Sequence, residues 1–338
     1  NRATFGAGSN CEDRGSIFTL SLEDLAGENE MAETLVPLLY ILLFPGGLFL
    51  VFNGLIYEWG HRKLVARFQN RIGPRWFQPI ADTIKLLAKE QIIPSGVNKA
   101  LFIGLPIIGV AGALTAGLYV PLMGLPAGFS FPGDLIVTLY LLSLLTLCTG
   151  LAGWNTKSRF SLVGATRTLT QLFAYEAPFL MALLGPALTA GSWQINEIIA
   201  GSGGRWLVFS QPIGFIVAVI GLMGKLEMPP FDAPEAETEI VAGALTDYSG
   251  RSLGLFHIGK AVEMVVGLTL VSALYLGGIA NPLAYLLKTL PVLFVMSGVQ
   301  AVMTRLRIDQ TVGMWWRYGT LLVLLQWVVF IVWRGIAQ

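Results

Sequence analysis

The sequence predicts an all-α integral membrane protein of eight transmembrane helices, with short amphipathic surface helices in its inner loops. Three observations carry this. Hydrophobic residues fill 54% of 338 positions and charged residues 13%, with a mean hydropathy of +0.66, whereas a soluble domain carries about 25% charged residues. Apolar runs near 34–57, 100–122, 135–154, 168–190, 208–224, 258–280, 285–304 and 318–334 are long enough to cross a bilayer, which takes about 20 residues at ~1.5 Å rise. Seventeen of the 22 Lys and Arg fall in 58–99, 155–170, 225–260 and 305–317. By the positive-inside rule those loops face inward and both termini lie outside a cell (inner or plasma) membrane.

Taken in order, the chain opens with a polar tail, 1–33, and continues as one membrane domain, 34–338. The tail is rich in Gly, Ser and Asn and has no apolar h-region, so it is not read as a signal peptide. It is expected to lie on the outer face or against a neighbouring subunit.

The first inner loop is basic and interleaved with aromatics. Arg67, Arg71 and Arg75 recur every four residues beside Phe68, Trp76 and Phe77. Arginine and aromatics are what buried interface cores select, so this stretch reads as a docking surface for a protein partner. From Pro79 onward Ile80, Ile84, Leu87 and Ala88 keep helical spacing, with Asp82, Lys85 and Lys89 opposite, which predicts an amphipathic helix at the membrane surface. Asp82 and Lys85 extend the docking candidates, while a grip on anionic lipid is the better reading for Lys85, Lys89 and Lys99.

Further along, Glu176 follows Tyr175 inside the span 168–190. A carboxylate in a span is costly and is therefore a functional candidate, here for a proton path. The densest charge is Met228-Pro-Pro-Phe-Asp-Ala-Pro-Glu-Ala-Glu-Thr-Glu-Ile-Val-Ala-Gly243, with Asp232, Glu235, Glu237 and Glu239. Asp232, Pro234 and Glu235 spell a capping box and a helix start. On that helix Glu235 and Glu239 would share a face, with Glu237 elsewhere, and would repel each other unless cations face them. Glu263 stands three residues after Lys260, the spacing of an ion pair, and is a second intramembrane candidate. Asp309 reads as a docking or salt-bridged residue. His61 and His257 read as structural histidines that could titrate near neutral pH.

Cys11 and Cys148 are the only cysteines, and neither has a Cys or His at metal-ligand spacing. No glycine-rich phosphate loop and no Ser/His/Asp set is present. No cofactor is expected in this chain, and redox chemistry belongs to partners.

Several strings carry a resemblance: Arg62-Lys-x-x-Ala-Arg-x-Gln-x-Arg-x-Gly-Pro74, Gln78-Pro-x-Ala-Asp-x-x-Lys-Leu-x-x-Lys-Glu90, Tyr175-Glu176, the Phe231–Gly243 acidic motif, and Tyr248-Ser-Gly250. From about residue 34 onward the chain resembles the NuoH family, the eight-helix membrane subunit of respiratory complex I, and its counterpart in the group 4 energy-converting membrane-bound hydrogenases. The resemblance implies an anchor for a hydrophilic electron-transfer arm whose inner loops and membrane carboxylates couple redox chemistry to ion movement. Three departures point to the hydrogenase side. Only Arg75-Trp-Phe77 separates the Gly-Pro and Gln-Pro elements, where complex I members carry a longer insert at the quinone tunnel. Lys225 and Met228 stand where a Glu and an Arg are usual, and His61 replaces another Glu.

The expected function is therefore a membrane anchor and energy-coupling subunit. It would link electron flow, from reduced ferredoxin to protons or sulfur species, to ion translocation. The implied partners are hydrogenase-like large and small subunits, an iron–sulfur subunit, antiporter-like membrane subunits and the bilayer, with no nucleic acid. Iron–sulfur clusters and a nickel–iron centre would sit in those partners. The alternatives are a complex I subunit forming the quinone site and a purely structural anchor; a free-standing transporter fits the large basic loop poorly.

Overall fold

The computed structural model describes residues 42–43, 46–125 and 127–337, without the side chains of 237 and 333–337. The chain divides into Asn1–Leu48 and Phe49–Gln338. Of the first unit only Leu42, Leu43 and residues 46–48 are described, so the expected tail 1–33 and its boundary lie outside the described residues.

The second unit is helical, and among its described residues the only extended pairing is an isolated bridge between Leu122 and Leu125. Helices α1 (Gly47–Phe68), α2 (Gln78–Ala88), α3 (Lys99–Leu118), α4 (Asp134–Asn155) and α5 (Arg159–Ala190) are followed by the short α6 (Ile195–Ser202) and α7 (Pro212–Lys225). A loop holding the one-turn α8 (Glu237–Ile240) leads to α9 (Gly250–Tyr275), α10 (Pro282–Val302), α11 (Ile308–Met314), a π-turn over Trp315–Gly319, and α12 (Thr320–Ala337).

Among the described residues six helical segments are long and apolar enough to cross a membrane: α3, α4, α5, α9, α10 and Ile308–Val332. The expected eight are thus not all found. The run 208–224 becomes α7, only 14 residues, bounded by Pro212 at its start and the Pro229-Pro230 pair after its end. The first run, 34–57, lies mostly outside the described residues. Polar ends also lengthen spans: α5 begins at Arg159 rather than 168, and α9 at Gly250 rather than 258.

Helix α9 is the axis of this unit. Its span is 94% buried, against 22% for Ile308–Val332, which leaves its apolar side for lipid or neighbours. Glycines let other helices close on it: a Cβ at Gly267 would lie 2.3 Å from Leu222 of α7. Prolines within a helix cost a backbone bond, and in lipid the freed carbonyl needs another donor. Pro186 frees the carbonyl of Ala182 in α5, and the Tyr275 hydroxyl at the end of α9 donates to it. The backbone N–H of Gly214, in the first turn of α7, donates to Gln326 Oε1 of α12 at 2.6 Å.

Candidate functional site

The acidic motif is clamped onto α4 and α5 by small residues. Gly164 of α5 has no room for a side chain, since a Cβ would meet Ala244 N at 2.2 Å. Gly243 adopts φ 58, where L-residues are strained, and its Cβ would strike the Pro234 carbonyl at 1.9 Å. Gln171 of α5 is buried and donates to two carbonyls, Gly224 at the end of α7 (3.0 Å) and Phe231 (2.7 Å). The loop therefore starts and ends against fixed helices, and its carboxylates are held rather than free.

Within the loop the predicted capping box does not form. Asp232 caps only a single 3₁₀ turn, Ala233–Glu235, with no side-chain cap bond. Ala236 then leaves helical geometry at φ −53, ψ 85 before the one-turn α8. The acids are drawn instead to distant cations. Glu235 pairs with Lys260 of α9, while Glu239 pairs with Arg167 of α5 at 2.6 Å and Arg305 at 3.1 Å. Arg305 also lies 3.8 Å from Asp232. Cations thus face Glu235 and Glu239, which do not share a helix face. Burial raises the Glu235 pKa, but Lys260 outweighs it and holds the carboxyl below its usual value. Hydrogen bonding and charge from Arg167, with Arg305 behind, hold Glu239 low. Asp232 is raised by burial, which Arg305 only partly offsets.

Deeper in, two ion systems sit beside each other. Lys260 Nζ reaches Glu227 Oε2 at 2.6 Å as well as Glu235. Glu227 follows α7 in a left-handed conformation, φ 53, with its side chain 3% exposed. Burial raises its pKa against the pull of Lys260, the opposite direction from Glu235. Beyond it, Lys225 and Glu263 form a wholly buried pair, 1% and 2% exposed, at 3.8 Å. That is too long for a hydrogen bond; Lys225 instead donates to Ser143 Oγ at 2.9 Å and stands 5.7 Å from the Tyr175 ring centre. Glu263 Oε1 is buried without a hydrogen bond among the described residues. The expected Lys260–Glu263 pair is therefore replaced: the loop acids Glu227 and Glu235 claim Lys260, and Lys225 falls to Glu263. The Lys at 225, a departure from the resembled family, is thereby matched by an acid within the same chain.

The remaining candidates fall into two groups. Glu176 is half-buried on α5 and acts on Lys225 by charge, without an ion pair among the described residues. The side chain of Glu237 lies outside the described ones. Asp82 belongs to a local cluster, accepting from Gln78 Nε2 at 3.0 Å and lying 3.6 Å from Arg62, which also pairs with Glu58. Arg67, Arg71, Arg75, Phe77 and Lys85 are exposed, Trp76 to 65%, and none of the three arginines pairs with an acid among the described residues. Helix α2 forms as predicted, yet its buried residues are Pro79 and Thr83, while Ile84 remains 61% exposed. Of its apolar stripe Ile84 thus faces away from this unit, whereas Leu87, with Leu86, comes against Gly254 of α9. His61 is buried and bonds Ser297 at 2.9 Å; Asp309 is exposed beside a cavity of about 500 Å³ with Arg167, Glu239, Arg305 and Arg307. Among the described residues no three His, Cys, Asp or Glu converge on a metal position. Sequence reasoning missed Glu227 as a site residue; an acid two positions from a lysine at an apolar helix end was the available signal.

Fold and site together define a multi-pass helical membrane protein whose buried charges run from the helix core to a surface loop. The chain belongs to the family described as NADH dehydrogenase, which matches residues 39–331. It is similar to the H subunit of the NADH-quinone oxidoreductase of Dehalococcoides mccartyi (strain CBDB1), 34% identical over 301 residues, 83% of this chain and 82% of the relative. The second of the H subunits of the NADH-quinone oxidoreductase of Geobacter sulfurreducens (strain ATCC 51573 / DSM 12127 / PCA) is 33% identical over 323 residues, 88% and 96% of the two chains. Among solved structures, a chain of the membrane-bound sulfane sulfur reductase (MBS), an archaeal respiratory membrane complex, superposes with a TM-score of 0.77. Its identity is 27%, over 83% of this chain and 95% of that one. Membership of this family makes the protein a membrane subunit of an oxidoreductase system.

Proposed function

We propose that the chain is the membrane anchor and energy-coupling subunit of a hydrogenase-like or sulfur-reducing respiratory complex, in which the loop 226–249 passes redox changes to the buried charges. The observation that carries this is the continuity of Lys225–Glu263 with Glu227–Lys260–Glu235. A structural anchor needs no charge in its core, and ions there are costly unless they pair. A docked, hydrophilic arm that reorders Glu235 changes the field on Lys260, and Lys260 in turn releases or holds Glu227. Proton traffic then follows through charges whose partners can exchange. In this reading the arm, its iron–sulfur clusters and a nickel–iron centre belong to partner subunits, antiporter-like subunits adjoin the exposed apolar helices, and the loop side faces the cell interior of a plasma or inner membrane.

The choice of a non-quinone branch is supported by the short Arg75–Phe77 connection, which runs straight into α2 and leaves Trp76 turned outward, and by the likeness to the sulfane sulfur reductase. The quinone alternative is supported by the names of the curated relatives. Competitive inhibition of electron transfer by quinone analogues decides between them: none is expected. The coupling itself is tested by Glu227→Gln in the intact complex in proteoliposomes, with ions moved per electron as the readout. The ratio should collapse while electron transfer to artificial acceptors persists; an unchanged ratio contradicts the proposal.

A further inference from the structure

Two cavities meet at one side chain. The first, about 270 Å³, opens between α1, α2 and α9 and is lined by Glu58, Arg62, Asp82, Lys85, Lys89 and His257. The second, about 280 Å³, lies between α9 and the motif loop and is lined by Glu235, Thr246, Tyr248, Phe256, His257 and Lys260. His257 is common to both linings. Its ring makes no hydrogen bond or ion pair among the described residues. The charges that face it are Lys260 on its own helix, Glu235 from the loop, Arg62 and Glu58 from α1, and Asp82, Lys85 and Lys89 from α2.

Each cavity carries charged side chains on a partly apolar wall and is large enough for several waters, a water taking about 30 Å³ of liquid volume. The second holds a further sign of water. Tyr248 is 4% exposed, and its hydroxyl is buried without a partner among the described residues. Buried hydroxyls are almost always satisfied, so a water in the adjoining cavity is the available partner.

Resting on the coupling reading above, we infer that the two cavities form a hydrated proton inlet in which His257 is the carrier between the open side of α2 and Glu235. A neutral imidazole has one protonated and one free ring nitrogen, so it can accept at one end and donate at the other. It takes a proton from water in the first cavity, and bulk buffer restores that water. It releases the proton of its other nitrogen to water leading to the Glu235 carboxylate, and a ring flip resets the tautomer with no net charge left behind. Glu235, ionised in its pair with Lys260, is the carboxylate at the inner end of the inlet, and it hands the proton on to Glu227, which shares Lys260 with it.

The test uses the intact complex in proteoliposomes with His257→Ala, His257→Gln and Glu227→Gln side by side. Both histidine variants should assemble, since the side chain is exposed and bonds none of the described residues, and should move protons several-fold more slowly at an unchanged rate of electron transfer to artificial acceptors. Added imidazole should restore the alanine variant, which has space for it, and leave the glutamine variant slow. Full-speed proton uptake in His257→Ala alongside an uncoupled Glu227→Gln overturns the inlet and leaves the coupling reading standing. Normal coupling in all three variants overturns both. A slow His257→Ala that imidazole does not restore shows a structural role and overturns the carrier assignment.

Discussion

The charges of α7 and α9 and those of the 67–77 stretch obey opposite rules. Around α9 Lys225, Glu227, Lys260 and Glu263 are each matched by an opposite charge in the same chain, and three of the four side chains are at most 3% exposed. Along 67–77 the arginines project outward unpaired among the described residues, beside exposed Phe68, Trp76 and Phe77. Water solvates the second set at little cost, so the fold does not require it. The first set loses its solvation and must be compensated internally, because an unpaired ion in low dielectric costs several kcal/mol. The difference separates charges satisfied within the subunit from a basic, aromatic face that the subunit leaves exposed.

The comparison breaks most visibly at the buried pair. Glu263→Leu strands Lys225, and loss of a partner from a buried pair costs about 3–5 kcal/mol, so the purified subunit should denature in detergent well below the wild-type temperature. Lys225→Met/Glu263→Leu, which replaces both charges by apolar groups, should recover most of that loss. On the exposed face, Arg71→Ala/Arg75→Ala should leave the detergent melting temperature unchanged and release the hydrophilic arm from membranes. Truncating interfacial charges paired across a contact costs about 2–5 kcal/mol. Retention of the arm would reassign this face to lipid.

Intermediate in burial is Glu176, which acts on Lys225 by charge without an ion pair among the described residues. Glu176→Gln keeps shape and hydrogen bonding but cannot titrate. Its loss in ions moved per electron should be smaller than that of Glu227→Gln, with assembly intact. The smallest effect concerns the exposed clamp of Glu239 on Arg167 and Arg305. A carboxyl held below its usual pKa adds stability that is fully present above the unfolded value, about 4.3, and disappears as pH falls through the lowered folded value. Hydrogen exchange of residues 236–245 should therefore rise only below about pH 4, and Glu239→Gln should show the faster exchange already at neutral pH.

The membrane class and the helix α2 were legible in the sequence because composition and periodicity are local signals. The pairings were not. Lys260 has Glu263 within one turn, yet it bonds Glu227 and Glu235, 33 and 25 residues away. Glu239 finds Arg305 at a separation of 66 residues, which no helical spacing announces. The capping box failed because Ala236 breaks the helix that would have made it useful, and the clamped glycines fix that break. Helix α2 shows the same limit: its amphipathic rhythm was readable, but its packing of Leu86 and Leu87 on Gly254 of α9 was decided by where α9 lies. His257 looked structural for the same reason, since neither of the cavities it lines is encoded near it in sequence.

The most direct measurement of the central claim is the number of ions moved per electron by the reconstituted complex carrying Lys225→Met/Glu263→Leu. These substitutions keep the core packed and remove only its innermost charges. If the charge system is the coupling device, this complex assembles, transfers electrons to artificial acceptors at the normal rate, and moves few or no ions. A normal ratio in that variant would contradict the account and leave the chain an anchor whose buried charges serve only the fold.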